Sequence, residues 1–530
     1  MSAMADRQDN LAVRVLAPAL TGGRLDAVAL REGERAWTYR ELADKVARVG
    51  GALGGLGIEA GERVAILMRD TLEAAAAILG VIHAGAVAVP LSELARPDDL
   101  REYLDHAQAA MAIVDGELEP ALDQVRGELP RLREIICLEP RAPGERDFGA
   151  ITRTAAPAMA AEVEPTDECL LLYSAGFGDD LRGVLHSHAS VVAAHQSFAA
   201  FLGLGAGDKI FTVTRLSTAF GFGAGLVFPL LAGTESLLLP AQPSSKVLLA
   251  AIEQFRPDFF LSTPSIYGQL ARDVAASKVA SPLTKVRGAI AGGEGMPDKL
   301  IPRIKAALGV DVVIGFGITE VMQIAIAGPA SDDERAGACG TTLPHVEARV
   351  VDDNGTPVGT DEIGTLQLRT PSMCLAYWGG TDGKDRGAIA TDGWLTTRDR
   401  FLVDSRGVYH HCGRADDLFK VGGKWVSPIE LERALTAHEA VWEAAVIGAD
   451  DEDGLIKPLA FVVVNVGHSP GAALEAQLRE FVKQTLSPYK YPRWFEFVEA
   501  LPRGPGGKLL RYKLRPARRR RRAETGTGAP

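Results

Sequence analysis

The sequence predicts an α/β protein with a large N-terminal domain of two parallel-type αβ sheets plus a small β-barrel-like subdomain, followed by a small α+β C-terminal domain. Three observations support this fold class. Helical patterns alternate with short Val, Ile and Leu runs over roughly the first 400 residues, which is typical of βαβ units on parallel sheets. Gly- and Asp-rich turns with short strands replace that alternation between Gly355 and Asp417. A compact mixture of strands and helices follows.

The elements follow one another in chain order. ERVAILM, AVAVPL, AMAIVD and EIICLE have the length and apolar composition of buried strands, and LEAAAAILGVIHAG reads as an apolar helix. TLQLRT, RFLVDS and VYHHCG are short strands between turns, which predicts an antiparallel cap. Strand-like WVSP, AAVIGAD and LAFVVVN then alternate with helix-like IELERALTAH and EAQLREFVKQTL. We place an N-terminal domain over 1–413, a connection over 414–417, a C-terminal domain over 418–515 and a disordered basic tail over 516–530.

Composition and charge exclude several classes of protein. The 530 residues are several times the about 150 of one domain, and 47% hydrophobic with 24% charged residues match globular rather than disordered chains. A formal net charge of −11 argues against a nucleic-acid partner, because such binding rests on cationic side chains. The five cysteines form no CxxC pair or His cluster, so neither a disulfide framework nor a zinc site is indicated.

The sequence also gives no sign of a membrane segment. The start, MSAMADRQDN, lacks the basic end and apolar run of a signal peptide. The long apolar stretch from Leu72 to Leu91 contains Glu73, His83 and Pro90, so we interpret it as a buried helix and strand. We therefore expect a cytoplasmic protein without a membrane span.

The most specific pattern is GRADDLFKVGGKWVSPIELE, from Gly413 to Glu432. It resembles the hinge motif of the adenylate-forming superfamily, which includes acyl-CoA synthetases, peptide-synthetase adenylation domains and beetle luciferases. GFGITE, TDGWLTTRD, the region around GGEGMP and PRGPGGKLLRYKLR match further motifs of that family in the family's order. The run LSPYKYPRWFEFVEALPRGPGGKLLRYKLR is especially similar to the benzoate-CoA ligase branch, and the resemblance extends from Thr38 to Arg515.

The resemblance implies a nucleotide and metal site. Thr319 lies near the nucleotide phosphate, and Glu320 is a magnesium ligand whose carboxylate oxygen suits a hard cation. Asp399 accepts hydrogen bonds from both ribose hydroxyls, although the family's usual preceding glycine is Arg398 here. Arg414 steadies the nucleotide. The remaining nucleotide-binding residues implied by the family are Gly292, Gly293, Glu294, Phe316 and Gly317.

The resemblance also implies a mobile C-terminal domain. Asp416 is the hinge residue about which the small domain swings. Lys508, in GPGGKLL, is the mobile lysine that reaches the acyl phosphate oxygen, where a cation offsets developing negative charge. Rotation of the small domain builds a tunnel for the pantetheine arm of CoA from Gly422, Gly423 and Lys424.

An aromatic acid pocket is implied by RLSTAFGFGAGLVFPL. This stretch aligns with an Ala-Tyr-Gly core of benzoate ligases and carries Ala219, Phe220 and Gly221; flat ligands favour such aromatic and small-residue linings. Tyr267, in STPSIYGQL, adds the pocket floor. His186, in GVLHSH, is at a position where the family commonly has histidine, and a packed structural histidine is the alternative interpretation.

The phosphate loop departs from the family pattern. Relatives carry a Ser/Thr/Gly-rich loop ending Pro-Lys-Gly, whose amides, hydroxyls and lysine hold the β and γ phosphates of ATP. This chain reads YSAGFGDDLRGV. A carboxylate about 4 Å from a phosphate charge costs about 1 kcal/mol at a water-like dielectric and about 4 kcal/mol at a dielectric of about 20. The loop then loses ATP affinity unless Glu320 and magnesium carry the load. The loop residues retained or changed are Ser174, Gly176, Asp179, Asp180, Arg182 and Gly183.

The altered loop leads us to expect an aryl acyltransferase. It would move a benzoate-like acyl group from aryl-CoA to the phosphopantetheine thiol of an acyl carrier protein in secondary metabolite biosynthesis, with adenylation weak or lost. The CoA thioester is then the substrate, and the use of ATP, AMP and magnesium is left open. Phe220 removes a hydroxyl from the pocket, which makes amino- and hydroxybenzoates candidate acids. The alternatives are an ATP-dependent aryl-CoA ligase and a non-catalytic relative that acts as a binding partner.

Overall fold

The computed structural model describes residues 9–141, 145–174, 181–277, 281–297, 299–330, 337–379, 384–385, 389, 392–415, 417–421, 424–451, 455–487, 490–503 and 509–514, with only the backbone of 174, 384–385, 424–425 and 512. Within these ranges, no helix is both long and apolar enough to cross a membrane.

Strands and helices alternate through most of the chain. The strands are β1 (Val28–Glu32), β2 (Arg35–Thr38), β3 (Arg63–Leu67), β4 (Val87–Pro90), β5 (Met111–Val114), β6 (Glu134–Cys137), β7 (Arg146–Asp147), β8 (Glu168–Ser174), β9 (Arg182–Ser187), β10 (Lys209–Thr212), β11 (Glu235–Leu238), β12 (Phe259–Ser262), β13 (Gly288–Gly292), β14 (Val312–Ile318), β15 (Gln323–Pro329), β16 (Ala338–Thr342), β17 (Glu347–Val351), β18 (Gly364–Arg369), β19 (Ala376–Trp378), β20 (Lys384–Asp385), β21 (Leu395–Val403), β22 (Tyr409–Arg414), β23 (Phe419–Val421), β24 (Lys424–Val426), β25 (Val441–Asp450), β26 (Ile456–Val464) and β27 (Trp494–Phe497). The helices are α1 (Leu11–Arg14), α2 (Ala17–Thr21), α3 (Tyr39–Gly55), α4 (Leu72–His83), α5 (Pro97–Ala107), α6 (Glu119–Asp123), α7 (Phe148–Thr154), α8 (His188–Leu202), α9 (Ala219–Phe222), α10 (Phe228–Ala232), α11 (Ser245–Phe255), α12 (Pro264–Ser277), α13 (Leu300–Leu308), α14 (Pro428–Thr436) and α15 (Ala472–Thr485).

The first sheet has the order β20-β19-β9-β8-β4-β3-β5-β6-β7. Neighbours from β8 to β7 run parallel, whereas β8, β9, β19 and β20 pair antiparallel. Every residue of β4 and β5 is buried. Helices cover both faces of a parallel sheet, which is why these strands read as continuous apolar runs.

The second sheet has the order β17-β18-β21-β22-β16-β15-β14-β13-β12-β10-β11-β1-β2. Along this spatial order, neighbouring strands between β14 and β1 pair in parallel, and neighbouring strands between β17 and β14 pair antiparallel. The antiparallel region therefore begins at β15, which lies upstream of Gly355, the residue at which the sequence predicts the antiparallel cap to begin. Hydrogen bonds from β15 through β16 to β22 join the predicted cap to the parallel part.

The main core lies between the two sheets. It combines Ile66 of the first sheet, Leu261 of the second sheet and Leu79 of α4, all with at most 2% of their surface exposed. Helix α4 and strand β4 occupy the apolar stretch from Leu72 onward and are buried. This confirms the interpretation of that stretch as a buried helix and strand.

A separate core holds the C-terminal part together. Strands β25 and β26 pair antiparallel, β27 adds in parallel, and α14 and α15 cover the sheet through Leu431, Val446 and Leu478. The α/β fold with a large N-terminal part and a small α+β C-terminal part is thus confirmed. The two parts touch where the ring of Trp442 lies 5.0 Å from the Arg272 guanidinium and 5.5 Å from that of Arg303.

Candidate active site

The carboxyl ends of β13 and β14 lie side by side at one edge of the second sheet. Their register pairs Gly292 with Gly315, so Phe316 and Gly317 continue next to the turn that follows β13. A single 3-10 turn, Thr319–Val321, follows β14. Open α/β sheets bind ligands outside the carboxyl ends of their strands, so this edge is the candidate site.

The turn after β13 connects two of the predicted subsites. A Cβ on Gly292 would lie 3.4 Å from the ring of Phe220, which shows how closely that ring approaches the backbone. Gly293 has a φ of +84°, a conformation that glycine adopts without strain. The Glu294 carboxylate accepts hydrogen bonds from the backbone N–H (3.3 Å) and hydroxyl (2.5 Å) of Ser265. The turn predicted to bind the nucleotide therefore lies against Phe220, which is predicted for the acyl pocket.

Asp399, on β21, is a buried carboxylate with 6% of its surface exposed. Its Oδ1 accepts a hydrogen bond from Nε2 of His411 at 2.9 Å. The ring centroid of Phe316 lies 5.5 Å from that of His411 and 4.8 Å from that of Phe401. These rings link Asp399 to the end of β14. A carboxylate held beside an aromatic wall can accept hydrogen bonds from two neighbouring hydroxyls.

The segment that leads into the C-terminal part lies against Asp399. Arg414 pairs with Asp399 across β21 and β22 and is half-buried. The N–H of Ala415 donates to the carbonyl of Arg398 at 2.7 Å. The residue that replaces the family's usual glycine is therefore tied to the connection between the two parts of the chain.

Three contacts hold the turn that carries Thr319 and Glu320. The Tyr377 hydroxyl donates to Oε1 of Glu320 at 2.7 Å, and the N–H of Cys374 donates to the Glu320 carbonyl at 2.7 Å. Nε2 of His186 donates to the Thr319 carbonyl at 2.8 Å. Burial lowers the pKa of His186 to about 4, so its ring is neutral near pH 7. Burial, followed by the Glu320 charge, raises the pKa of Tyr377, which keeps the donated proton on its hydroxyl.

The exit of the phosphate loop lies beside this turn. Gly183 of β9 pairs with Trp378 of β19. The Arg182 guanidinium lies over the ring of Tyr377, 5.4 Å from its centroid. Arg182 is thus placed next to Glu320 through Tyr377.

Several predicted site residues lie outside the part of the chain that the structure describes. Only the backbone of Ser174 and Lys424 is described. The residues about which nothing structural is stated are Gly176, Asp179, Asp180, Asp416, Gly422, Gly423 and Lys508.

The structure separates the residues predicted for the acyl pocket. Ala219, Phe220 and Gly221 lie in α9, and Ala219 and Phe220 pack at the margin of the core between the two sheets. Tyr267 is fully buried in the core on the other face of the second sheet, since successive residues of β12 alternate between those two cores. Its hydroxyl donates to the carbonyl of Phe260 at 2.9 Å. Tyr267 therefore packs away from Phe220.

Arg215, whose side chain is 16% exposed, lies four residues before the start of α9. Nε of Arg215 is 2.8 Å from the Glu93 carboxylate, and Nη1 is 3.5 Å from that of Asp70. Asp70 and Glu93 follow strands of the first sheet, so this cluster joins the carboxyl edges of both sheets. Burial raises the pKa of Asp70 to about 7, against the opposing effect of Arg215. A Cβ on Gly221 would lie 2.0 Å from the Arg215 carbonyl, so α9 sits directly on this cluster.

Comparisons with known proteins agree with the motifs. A family model for AMP-binding enzymes matches residues 19–378, and one for the AMP-binding enzyme C-terminal domain matches residues 430–508. The chain belongs to the AMP-binding enzyme family. The predicted membership of the adenylate-forming superfamily, near its benzoate-CoA ligase branch, is confirmed.

Relatives of this AMP-binding enzyme are similar over almost the whole chain. The benzoate–CoA ligase of Thauera aromatica is 35% identical over 502 residues, covering 94% of each protein. The 4-hydroxybenzoate–CoA/benzoate–CoA ligase of Rhodopseudomonas palustris is 33% identical over 518 residues, covering 96% of this chain and 94% of that protein. The structure of an anthranilate CoA ligase in complex with anthranoyl-AMP has a TM-score of 0.87 and 35% identity, covering 96% of both chains.

These relatives correct the expected activity. The expectation of an acyltransferase that uses an acyl carrier protein is wrong, because proteins similar over nearly the full chain are CoA ligases. The comparisons give no support for a carrier-protein partner. That expectation depended on the altered loop, whereas the rest of the candidate site is held by residues outside the loop. Thr319, Glu320 and Asp399 are held by His186, Tyr377 and His411, none of which lies in that loop.

Proposed function

We propose that this protein is an ATP-dependent aryl-CoA ligase, which forms an acyl adenylate and then a CoA thioester. The observation that carries the proposal is the grouping of Glu320, Asp399 and Phe220 at the carboxyl edge of the second sheet. This edge offers one carboxylate to a hard cation, another to ribose hydroxyls and an aromatic face to the acid. Similarity to benzoate-CoA ligases supports benzoate or a hydroxy- or aminobenzoate as the acid.

The donor set fits magnesium and a nucleotide. The Tyr377 hydroxyl engages Oε1 of Glu320, which leaves Oε2 to face a cation. Magnesium, when bound, supplies positive charge that offsets the charge of the nucleotide phosphates. Asp399 receives the ribose hydroxyls, and the wall formed by Phe316 and the turn at Gly292 borders the adenine. Arg414 lies on the strand next to Asp399, where its charge steadies the nucleotide.

Two displacement steps complete the proposed reaction. A carboxylate oxygen of the acid attacks the α-phosphorus, and pyrophosphate leaves with the electrons of the broken P–O bond. The CoA thiol then attacks the acyl carbon, loses its proton and displaces AMP. We assign Lys508 to the first step and Asp416 to the hinge between the steps. The residues that we assign to the pantetheine tunnel are Gly422, Gly423 and Lys424.

The altered loop gives this ligase a particular dependence on its other residues. Ala175, Phe177 and Gly178 offer no side-chain donors to phosphates, and Asp179 and Asp180 add negative charge. The Glu320 side of the site then supplies most of the phosphate binding. We expect ATP to bind weakly while the aromatic acid and the adenosine moiety bind normally.

A coupled assay tests the proposal. Purified protein is incubated with benzoate and its hydroxy and amino derivatives, ATP, magnesium and CoA, and aryl-CoA, AMP and pyrophosphate are measured by mass spectrometry. We expect one AMP and one pyrophosphate per aryl-CoA, and no thioester without ATP. Asp399→Ala should lower kcat/KM for ATP about 100-fold, because hydrogen bonds to a charged group contribute about 1.5–3 kcal/mol each.

The matched control is Asp26→Asn, which removes a carboxylate from an exposed ion pair with Arg40. Exposed ion pairs contribute little to stability, so the control should retain activity. Absence of aryl-CoA with every acid of the panel, in a protein that is folded by circular dichroism, would contradict the proposed function.

A further inference from the structure

Strand β19 is fixed between the exit of the phosphate loop and Glu320. Ala376 and Trp378 pair with residues of β9, and the N–H of Leu375 donates to the carbonyl of Leu185 at 2.8 Å. On its other side, the N–H of Cys374 donates to the Glu320 carbonyl. The indole N–H of Trp378 also donates to the carbonyl of His106 at 2.7 Å. The main chain on both sides of Tyr377 is therefore anchored.

The Tyr377 side chain contacts two charged groups of opposite sign. Its hydroxyl donates to Oε1 of Glu320 at 2.7 Å, and its ring faces the Arg182 guanidinium at 5.4 Å. A cation over an aromatic face is attracted by the negative charge of that face. Arg182 thus favours one orientation of the ring. In that orientation the phenol donates to a charged acceptor, and such charge-assisted hydrogen bonds are stronger than neutral ones.

We propose that Tyr377 is a positioning residue for Glu320 and that Arg182 acts on the magnesium side of the site through Tyr377. The family pattern that this loop resembles ends Pro-Lys-Gly, and the resemblance implies a phosphate-binding lysine at the position of Arg182. In this chain the arginine is directed at the ring of Tyr377, and Tyr377 holds one oxygen of Glu320. This inference rests on the proposed function, because it assigns Glu320 to magnesium.

The contact between Arg182 and Tyr377 suits an arginine better than a lysine. A lysine is a compact point charge, whereas the planar guanidinium of arginine stacks on aromatic faces. A guanidinium stacked on Tyr377 contributes to the site without depending on the loop.

A double-mutant cycle of Tyr377→Phe and Arg182→Ala tests this route. The probe is a fluorescent ATP analogue, whose binding is titrated with Mg²⁺, and AMP binding without metal is measured in parallel. Tyr377→Phe keeps the ring but removes the donor, and it should raise the half-saturating Mg²⁺ concentration about tenfold, as for a lost hydrogen bond to a charged group. AMP affinity should change less than about twofold, because a purely structural loss would weaken both ligands.

Arg182→Ala should raise the same concentration about fivefold in the wild-type background and less than about twofold in Tyr377→Phe, because coupled residues have non-additive effects. Equal factors in both backgrounds would overturn the proposal and indicate a direct contact between Arg182 and phosphate. Unchanged Mg²⁺ dependence in Tyr377→Phe would also overturn it. Tyr39→Phe is the matched control, since the Tyr39 hydroxyl also donates one hydrogen bond of 2.7 Å, but to the backbone carbonyl of Thr234 instead of a carboxylate.

The outcomes separate this inference from the proposed function. Wild-type protein that binds no ATP analogue with Mg²⁺ would contradict both. Wild-type protein that binds the analogue but makes no aryl-CoA would contradict only the proposed function, and the cycle would still decide the role of Tyr377. Active wild-type protein with additive variants would contradict only the role of Arg182 and Tyr377.

Discussion

The carboxyl edge of the second sheet and the surface around Trp442 hold their side chains in different ways. We call the latter surface, by which the C-terminal part contacts the N-terminal part, the docking face. At the edge, Asp399 is 6% exposed and accepts a hydrogen bond from His411. At the docking face, Trp442 is 37% exposed and its ring lies within 5.5 Å of two arginine guanidinium groups. The Lys299 ammonium adds one hydrogen bond, 2.8 Å long, to the carbonyl of His438.

The difference separates a preorganised region from one that can rearrange. Buried hydrogen bonds fix a group because breaking them leaves polar atoms without water, at a cost of about 1–3 kcal/mol each. Exposed cation–π contacts contribute about 0.5–1 kcal/mol and can re-form elsewhere. We therefore expect the edge to keep its geometry during a reaction cycle while the C-terminal part changes position.

Acid should have the largest effect, and it should act on the N-terminal part. Burial lowers the pKa of His83, His186 and His188 to about 4 in each case. An unfolded histidine has a pKa near 6.5, so the unfolded state binds more protons below that pH. Stability is then fully present above pH 6.5 and falls by about 1.4 kcal/mol per pH unit for each histidine as pH drops toward 4.

Urea unfolding of the protein at several pH values between 7 and 5 measures this slope. His188→Asn should reduce the slope by about one histidine, or about 1.4 kcal/mol per pH unit. His468 is exposed, so His468→Asn is the control and should leave the slope unchanged. A slope that is the same in all three proteins would contradict the assignment of acid sensitivity to the buried histidines.

Arg215→Ala should lower the folding stability of the protein at the carboxyl edges of the two sheets. The substitution leaves the carboxylates of Asp70 and Glu93 buried without their cation, and removing one partner of a buried ion pair typically costs about 3–5 kcal/mol. Thermal and urea unfolding measure the loss. Arg40→Ala, which breaks an exposed pair with Asp26, is the control and should cost less than about 1 kcal/mol. A similar loss in both variants would contradict a special role for the Arg215 cluster.

Substitutions in the phosphate loop test how much the loop carboxylates weaken ATP binding at the edge. Asp179→Gly with Asp180→Ser removes two carboxylates, each worth about 1 kcal/mol or more against a phosphate. The KM for ATP should fall about 30-fold, since the two contributions sum to about 2 kcal/mol and about 1.4 kcal/mol corresponds to tenfold, and the KM for the aromatic acid should not change. Steady-state kinetics measure both. Glu34→Gln with Asp273→Asn removes two exposed charges elsewhere and should leave both values unchanged. An unchanged KM for ATP would show that the loop carboxylates do not face the phosphates.

Trp442→Ala should have the smallest effect. Losing the contacts with Arg272 and Arg303 should shift the balance between docked and undocked C-terminal parts about fivefold, as expected for about 1 kcal/mol of cation–π attraction. Fluorescence energy transfer between dyes on the two parts measures this shift. Trp394→Ala is the control, because that ring stacks on Arg349 and Arg369 within the N-terminal part. An equal change in transfer for both variants would contradict the role of Trp442.

Much of the fold and part of the site follow from local sequence patterns. Apolar runs identify β4 and α4, because burial on all sides requires continuous hydrophobic residues. The family motifs identify Thr319, Glu320 and Asp399 as candidates, and these lie at the same sheet edge. Tyr267 shows where the motifs fail. It lies in a recognisable segment, but its position in α12 directs its side chain into the core on the other face of the sheet.

The sequence by itself determined the alternation of strands and helices, the family and the residues that we propose for a nucleotide and an aromatic acid. Only the tertiary structure decided that Tyr377 holds Glu320, that His411 holds Asp399 and that Arg215 joins the two sheets. Local patterns report which residues are buried, because hydrophobic periodicity follows the geometry of one element. They do not report which distant side chains meet, since those contacts depend on the pairing order of strands far apart in the chain.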